Sequence, residues 1–335
     1  MNRVLFSIIV PAYNVGRYVE ACILSIVHQS IETNKYEVIV VNDGSLDDTE
    51  SKVRELCNEY KNVFLFNQEN AHIGGARNTG ISHSHGEYII FLDADDMFIY
   101  QNTLDKLREV IELHHPDYIH CPGFQYIPSD AKVSLSSCDE AVVMEVMTAE
   151  VCVASPNFSY SACNYIYKRD LFEAENVRFA ERCSFEELDF CVRALYAKGS
   201  NASVIKIGFP YYGYRENPVS ITRRPNVQLW LNNLMAIERL LAFIRAHFDS
   251  PSSAMQACLK RCQSDMTRKP WHVFRLNFSY SECREFHRRW LEVLSAVQKI
   301  GHFREWVSAI PLCVFFTYGV MYRAMRKLKH MIISK

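Results

Sequence analysis

The chain has 335 residues, 49% hydrophobic and 22% charged, the balance of an ordinary globular protein with room for one large domain and a smaller one. Its formal net charge of −1 hides an asymmetry: residues 1–215 carry 18 Lys and Arg against 30 Asp and Glu, whereas residues 216–335 carry 19 against 8. A part with net charge −12 argues against nucleic acid as its ligand unless a metal intervenes. A part at +11 favours a phosphate-bearing partner or an anionic membrane, unless the two halves simply complement each other.

The first hundred residues alternate apolar β-rich runs with helical patterns. FSIIV (6–10) leads to a helix near 17–28, YEVIVV (36–41) to one near 47–60, and NVFLF (62–66) to one near 71–84. YIIFL (88–92), a helical pattern near 101–114 and DYIHC (117–121) complete the series. Strands separated by single helices predict parallel βαβ units, and near-continuous Val, Ile and Phe predict burial on both faces. Farther on, NYIYKRDLF (164–172) reads as a strand running into a short helix. SFEELDFCVRALYAKG (184–199) reads as an amphipathic helix stopped by Gly199. After a boundary near 215–225 the pattern is helical throughout, near 226–248, 252–266, 280–299 and 303–330. The twelve cysteines lack metal-ligand spacing. Val4–Pro11 reads directly as a strand with no signal peptide before it, so reduced, buried thiols in a cytoplasmic protein are expected.

Chemistry concentrates at FLDADDMF (91–98), where a buried strand delivers Asp93, Asp95 and Asp96 together. Such carboxylates repel one another unless a cation sits among them, and hard oxygen ligands suit Mg²⁺ or Mn²⁺. PAYN (11–14), VNDGS (41–45) and GGARNTG (74–80) precede this cluster. PAYN, NDGS and DADD each follow a predicted strand, so they share the carboxyl edge of the sheet, where open parallel sheets bind ligands. Asp43 stands where a dinucleotide-binding fold holds ribose, but PAYNVGR lacks the G-x-G-x-x-G that lets backbone approach a pyrophosphate. A P-loop signature is also missing. Tyr13 offers a flat face for a base, and Asp43 an acceptor for an imide N–H such as that of uracil; a turn at Asp43–Gly44 and a core position for Tyr13 are the structural alternatives. His72 reads as a loop residue near the site.

Pro11–Asn14, Asn42–Ser45, ARNTG (76–80) and LDADD (92–96) together resemble the inverting family 2 glycosyltransferases over about residues 5–220. The resemblance implies an α/β GT-A fold, Rossmann-like, with a mostly parallel sheet flanked by helices, over residues 1–220. A helical, basic region at 221–335 would follow for acceptor or membrane docking. It implies that Pro11, Tyr13 and Asp43 embrace the base of a nucleoside-diphosphate sugar, with UDP preferred. Asp93 would hold ribose, and Asp95 with Asp96 the Mn²⁺ or Mg²⁺ on the diphosphate in the manner of a DXD motif. Arg77 would lie near the nucleotide, pairing either with phosphate or with a neighbouring acid. Family members commonly carry Glu-Asp where this chain has Glu186–Glu187. Glu187 therefore takes the place of the catalytic base, with Glu186 or Asp189 as alternatives if the register slips by one. YGYRENPVSIT (212–222) resembles a segment that follows the catalytic domain in enzymes of polysaccharide and lipopolysaccharide synthesis. Arg215 there would close on the diphosphate or serve as a linker.

The expected reaction is a single displacement at the anomeric carbon onto a hydroxyl of a glycan or lipid-linked acceptor. The rival readings are a nucleotidyltransferase of related architecture and a non-catalytic nucleotide-sugar or carbohydrate binding module. At the C-terminal end, VSAIPLCVFFTYGVMY (307–322) is uncharged, interrupted by Pro311 and short for a spanning helix. Arg323, Arg326, Lys327, Lys329 and Lys335 follow it. An apolar stripe beside a basic tail resembles an interfacial helix, which would place the protein peripherally on the inner face of the cell membrane. Packing in the core or in an oligomer, and insertion into the membrane, are the alternatives.

Overall fold

The structure is a computed structural model that describes residues 3–121, 123–129, 135–138, 144–174, 177–217, 227–275 and 280–301. The apolar segment at 307–322, its basic tail and the helix predicted at 303–330 lie outside the described residues, as does the 218–222 end of YGYRENPVSIT. Two compact units divide the chain: residues 1–152 with 156–218, and 153–155 with 219–335.

In the first unit, β1 (Phe6–Ala12), β2 (Tyr36–Asn42), β3 (Val63–Asn67) and β4 (Tyr88–Phe91) lie side by side in the order β3-β2-β1-β4, all parallel. Three helices link them: α1 (Val19–Val27), α2 (Thr49–Glu59) and α3 (His72–Ser82). Every residue of β1 and β2 is buried, which is why these runs carry no alternation of polar residues. β3, at the edge, keeps only Val63 fully buried.

The sheet does not continue with the next strand in sequence. Two strands, β5 (Met97–Phe98) and β6 (Tyr118–His120), follow β4 in the chain, flanking α4 (Thr103–His114). β9 (Tyr165–Lys168) inserts between β4 and β6, antiparallel to both. β10 (Ser203–Ile207) then pairs parallel with β6, and β8 (Met144–Thr148) closes the eight-stranded sheet antiparallel to β10. The sheet is therefore mostly parallel, with β9 and β8 reversed. A separate three-stranded sheet sets β11 (Tyr212–Arg215) between β5 and β7 (Phe124–Ile127), antiparallel to β5 and parallel to β7. Short helices α5 (Ala149–Ala154) and α6 (Leu171–Ala174) precede α7 (Glu187–Tyr196).

An aromatic cluster fixes α7 to the sheet. Phe190 stacks on Phe179 with ring centroids 3.5 Å apart and meets Tyr167 at 5.8 Å and Phe91 at 6.3 Å. Offset and edge contacts of this kind add to the burial of the rings. They seat the first turn of α7 beside the carboxyl end of β4. The second unit contains α8 (Val227–His247), α9 (Ser253–Arg275) and α10 (Tyr280–Gly301), with α10 packed on both others. Trp290 is fully buried there, its indole N–H donating to the Met266 carbonyl at 2.9 Å. No helix among the described residues is long and apolar enough to cross a membrane.

Candidate active site

At the carboxyl edge of the sheet, the loops after β1 and β2 are stitched together. The Asn14 N–H donates to Ser45 Oγ at 3.0 Å, and Asn14 Oδ1 accepts from the Leu46 N–H at 2.8 Å. The Val15 N–H reaches Thr49 Oγ1 at 2.9 Å and the Gly16 N–H reaches Asp47 Oδ2 at 3.0 Å. Gly44 bends this second loop with φ of 76°, a conformation that glycine adopts without steric cost. Pro11 is buried in β1 in register with Val41. Tyr13 is 45% exposed, so its ring is a surface feature beside the cleft and not part of the core. Asp43 is 2% exposed, and its Oδ1 accepts from Gln68 Nε2 at 2.7 Å and from the Ala71 N–H at 2.8 Å. Both bonds fall on Oδ1, which orients the carboxylate and leaves Oδ2 for a further donor.

The acid motif begins where β4 ends, and its three carboxylates differ in what holds them. Asp96 is 3% exposed; its Oδ2 accepts from the Tyr212 hydroxyl at 2.5 Å and its Oδ1 from the Arg215 N–H at 2.8 Å. Asp95 Oδ2 accepts from Asn217 Nδ2 at 2.9 Å. Burial, then the charges of Asp95 and Asp93, push Asp96 up to about 8. Burial, then Asp93, also raises Asp95, against the Asn217 bond. Asp96, read from the sequence as a metal ligand, thus has both oxygens engaged by β11 and serves to tie that strand to the motif. Arg215 also sits differently from a solvent-facing clamp. It is 8% exposed, its guanidinium 5.7 Å from the Tyr18 ring centroid and 3.0 Å from Met97 Sδ. Its Nε has no acceptor and it forms no ion pair among the described residues. Its charge instead lowers Asp95, making it a buried counter-charge beneath the acids.

Arg77 resolves the alternative left by the sequence in favour of acids. Its guanidinium is 1% exposed and reaches Asp93 Oδ1 at 2.9 Å, Glu186 Oε1 at 2.9 Å and Glu187 Oε1 at 3.0 Å. Below, it lies over Phe179 at 5.2 Å and Phe91 at 5.9 Å. One cation is thus shared by three carboxylates. Gly74, in the same helix, lies so close to the 180–186 segment that a Cβ would come within 2.2 Å of the Ala180 carbonyl. That close approach, with the Arg182 N–H donating to Ala71 at 2.9 Å, lets α3 and the start of α7 share the guanidinium. Arg182 and Phe185 hold φ of 54° and 62° in this segment, unusual for residues other than glycine.

Three acids were candidates for the base, and burial separates them. Asp189 is fully buried and paired with Arg193 at 3.0 Å. The Glu186 side chain is 6% exposed, whereas that of Glu187 is 26% exposed. The contacts of Glu187 with Arg77 and with the Ala162 N–H, the latter at 2.9 Å, fall on Oε1. Oε2 accepts nothing from the described residues. Burial raises Glu187 to about 7, with Arg77 opposing and Glu186 and Asp93 adding to the rise. A carboxylate poised near neutrality with one oxygen uncommitted suits general-base work. His72, with φ of 62°, stands exposed at the start of α3.

No group of three His, Cys, Asp or Glu among the described residues forms a ready metal cage. The donor set still fits a hard divalent cation of the kind that takes one or two carboxylates and completes its shell with substrate phosphates and water. Asp95 is the carboxylate whose repulsion with Asp93 such a cation would relieve. Asn217 and Gln68 escaped the sequence reading. Asn217 lies within the quoted YGYRENP run, whereas Gln68 carries no spacing that would mark it.

Residues 7–174 match the family described as Glycosyl transferase family 2. The uncharacterized glycosyltransferase EpsJ of Bacillus subtilis is 32% identical over 225 residues, 66% of this chain and 64% of that protein. The minor teichoic acid biosynthesis protein GgaB of the same organism is 26% identical over 72% of this chain but only 27% of its own length. The chain thus spans less than two thirds of either relative. Among solved structures, S. aureus TarS 1–349 in complex with UDP-GlcNAc superposes with a TM-score of 0.70 at 18% identity, covering 98% of this chain and 92% of that one. A mannosyltransferase from Pyrobaculum calidifontis in complex with GDP-Man and Mn²⁺ superposes with a TM-score of 0.52 at 15% identity, covering 98% and 84%. These structural likenesses concern the fold.

Proposed function

From the premise that this chain belongs to glycosyl transferase family 2, we propose that it transfers a sugar from a nucleoside-diphosphate donor, UDP-sugar first, to an acceptor hydroxyl. The carrying observation is the Arg77 hub, which joins the acid motif at the end of β4 to Glu187 at the start of α7. Acids are needed at two places in such a reaction, one beside the leaving diphosphate and one beside the attacking hydroxyl. The hub ties Glu187 to Asp93, which lies in the same motif as Asp95.

In the proposed sequence, Tyr13 stacks the base and Asp43 Oδ2 accepts its imide N–H. Glu187 Oε2 takes the proton of the acceptor hydroxyl as its oxygen bonds to the anomeric carbon. The bond from that carbon to the diphosphate oxygen breaks on the opposite side, so configuration inverts. Arg77 does not meet the donor; it positions Glu187 and orients Asp93. A bound Mn²⁺ or Mg²⁺, held by Asp95 and the donor phosphates, would neutralise charge on the departing diphosphate. Arg215 and its neighbours keep Asp95 in place. Repulsion between Asp95 and Asp93 favours a cation beside Asp95.

The domain division at 220, surface-polysaccharide acceptors and peripheral attachment to an anionic membrane belong to the same proposal. The excess of basic residues after 215 and the teichoic acid role named for one relative support them. The test is release of UDP from a panel of UDP-sugars with Mn²⁺, with and without EDTA. Metal-dependent release that Asp95→Asn abolishes supports the reading. Failure of every nucleoside-diphosphate sugar either to be turned over or to raise the melting temperature overturns it.

A further inference from the structure

The small sheet carries three exposed aromatic residues: Phe124 at 58%, Tyr126 at 51% and Tyr214 at 38%. Register places them together. Phe124 pairs with Tyr212 and Tyr126 with Tyr214, and alternation along a strand puts all four side chains on one face. The Phe124 and Tyr214 rings lie 5.5 Å apart. On the opposite face a Cβ on Gly213 would meet Ile99 and Ile127, and Ile127 and Arg215 are buried, while Gln125 at the edge is exposed.

The exposed face is continuous with the active site. Tyr212, the fourth aromatic on it, donates its hydroxyl to Asp96 and lies among Cys163, Asp93 and Asp96. Cys163 in turn is 3.9 Å from the Arg77 guanidinium that holds Glu187. An aromatic strip thus begins at the acid motif and runs outward along β11 and β7. β7 and β11 contribute no Lys, Asp or Glu to it, and their one charged residue, Arg215, is buried. A membrane surface or a phosphate-rich polymer would call for cations here. Neutral rings, two with phenolic hydroxyls, suit the C–H face of a pyranose with hydroxyls at its rim.

We propose that Phe124, Tyr126 and Tyr214 form the platform on which an uncharged saccharide end of the acceptor stacks, leading its terminal hydroxyl toward Glu187. This assignment rests on the transferase reading above and adds the class of acceptor and the surface that selects it.

The test uses the full chain on an array of neutral oligosaccharides, including cellohexaose, chitohexaose and maltohexaose. Release of UDP from a UDP-sugar without acceptor is followed in parallel. Wild type should bind at least one neutral glycan. Phe124→Ala with Tyr214→Ala should weaken that binding by about tenfold or more, the scale of losing buried aromatic contact. Donor hydrolysis and the circular-dichroism melt should stay unchanged. Gln125→Ala, on the other face of β7, is the control and should bind normally. No binding of wild type to any neutral glycan overturns the platform, as does equal binding by the double variant. A concentration-dependent dimer that Tyr126→Ala dissolves would also overturn it, assigning the face to a second copy. If donor hydrolysis proceeds while glycan binding fails, the platform falls and the transferase reading stands. If glycans bind and no nucleotide sugar does, the transferase reading is what fails.

Discussion

Replacing Arg77 with Met should be the most damaging single change in the first unit, and the damage should depend on pH. The guanidinium is 1% exposed and contacts three carboxylates between 2.9 and 3.0 Å. Each attraction is worth about 4 kcal/mol at an effective dielectric near 20, but repulsion among the acids offsets much of the sum. The net loss should fall in the range of about 3–5 kcal/mol seen when one partner of a buried pair is removed. For a unit of this size that corresponds to a drop of roughly 6–20 °C in melting temperature. The sign follows from linkage. Arg77 holds the Glu187 carboxyl down against the rise caused by burial; without it Glu187 moves further above its unfolded value, so the folded state binds more protons and loses stability as pH rises. The deficit relative to wild type should therefore be largest near pH 8.5 and shrink near pH 5.5. All four tryptophans lie at positions 230–306, outside the first unit, so far-UV circular dichroism is the suitable probe. A deficit below about 1 kcal/mol, or one that is equal at both pH values, would refute the shared-cation account.

Glu187→Gln should bind UDP-sugar as wild type does and lose transfer. In wild type the rate should rise with pH through about 7, where the folded carboxyl gives up its proton; normal turnover by the variant, checked by product analysis, sinks the assignment. Because unfolded glutamate ionises near 4.3, Glu187 makes wild-type stability decline between that pH and about 7, and Glu187→Gln should flatten the decline in a series of melts. Asp95→Asn should abolish metal-stimulated nucleotide release while the metal-free melting temperature holds or rises, since it removes a repelling charge. Asp96→Ala should instead cost about 1–3 kcal/mol by leaving the Tyr212 hydroxyl and the Arg215 N–H without their acceptor, measured by denaturant titration. Calorimetry should find UDP binding tighter than CDP, because neutral cytosine has no ring N–H for Asp43 Oδ2; the reverse order would remove that role from Asp43.

The parallel half of the sheet was legible because its physics is local. Doubly buried strands such as FSIIVPA and YEVIVVN have no polar alternation, and each is followed by a helix with its own apolar period. From β6 onward that logic weakens. β9 is a four-residue strand that reaches its place between β4 and β6 from about 45 residues downstream of β6, and nothing in YIYK encodes its direction. β7 shows no alternation to read, with Phe124, Gln125 and Tyr126 all exposed. Two-residue β5 is too short to carry any pattern. The motifs after β1, β2 and β4 could be gathered at one edge because strand ends in a parallel sheet share it. Their partners were less visible: Gln68 and Asn217 act through single hydrogen bonds, which leave no periodic trace.

The role of Arg77 shows most clearly why chemistry outran the sequence. ARN reads as a cation near a phosphate, and charge alone cannot say whether a guanidinium faces substrate or protein. What decides it is the aromatic floor of Phe91, Phe179 and Phe190, which brings α7 against the end of β4 and encloses the guanidinium on its apolar side. Once enclosed, a cation must be satisfied by acids from within the fold, and the chain supplies three where one would neutralise it. On the proposed function, that surplus suits a cleft that accepts a proton. In the proposed reaction Glu187 takes the proton, a role that suits a carboxyl raised by burial while it shares its counter-ion with Glu186 and Asp93. Asp95, outside that trio and two residues beyond Asp93, is the acid that the proposed reaction assigns to a divalent cation.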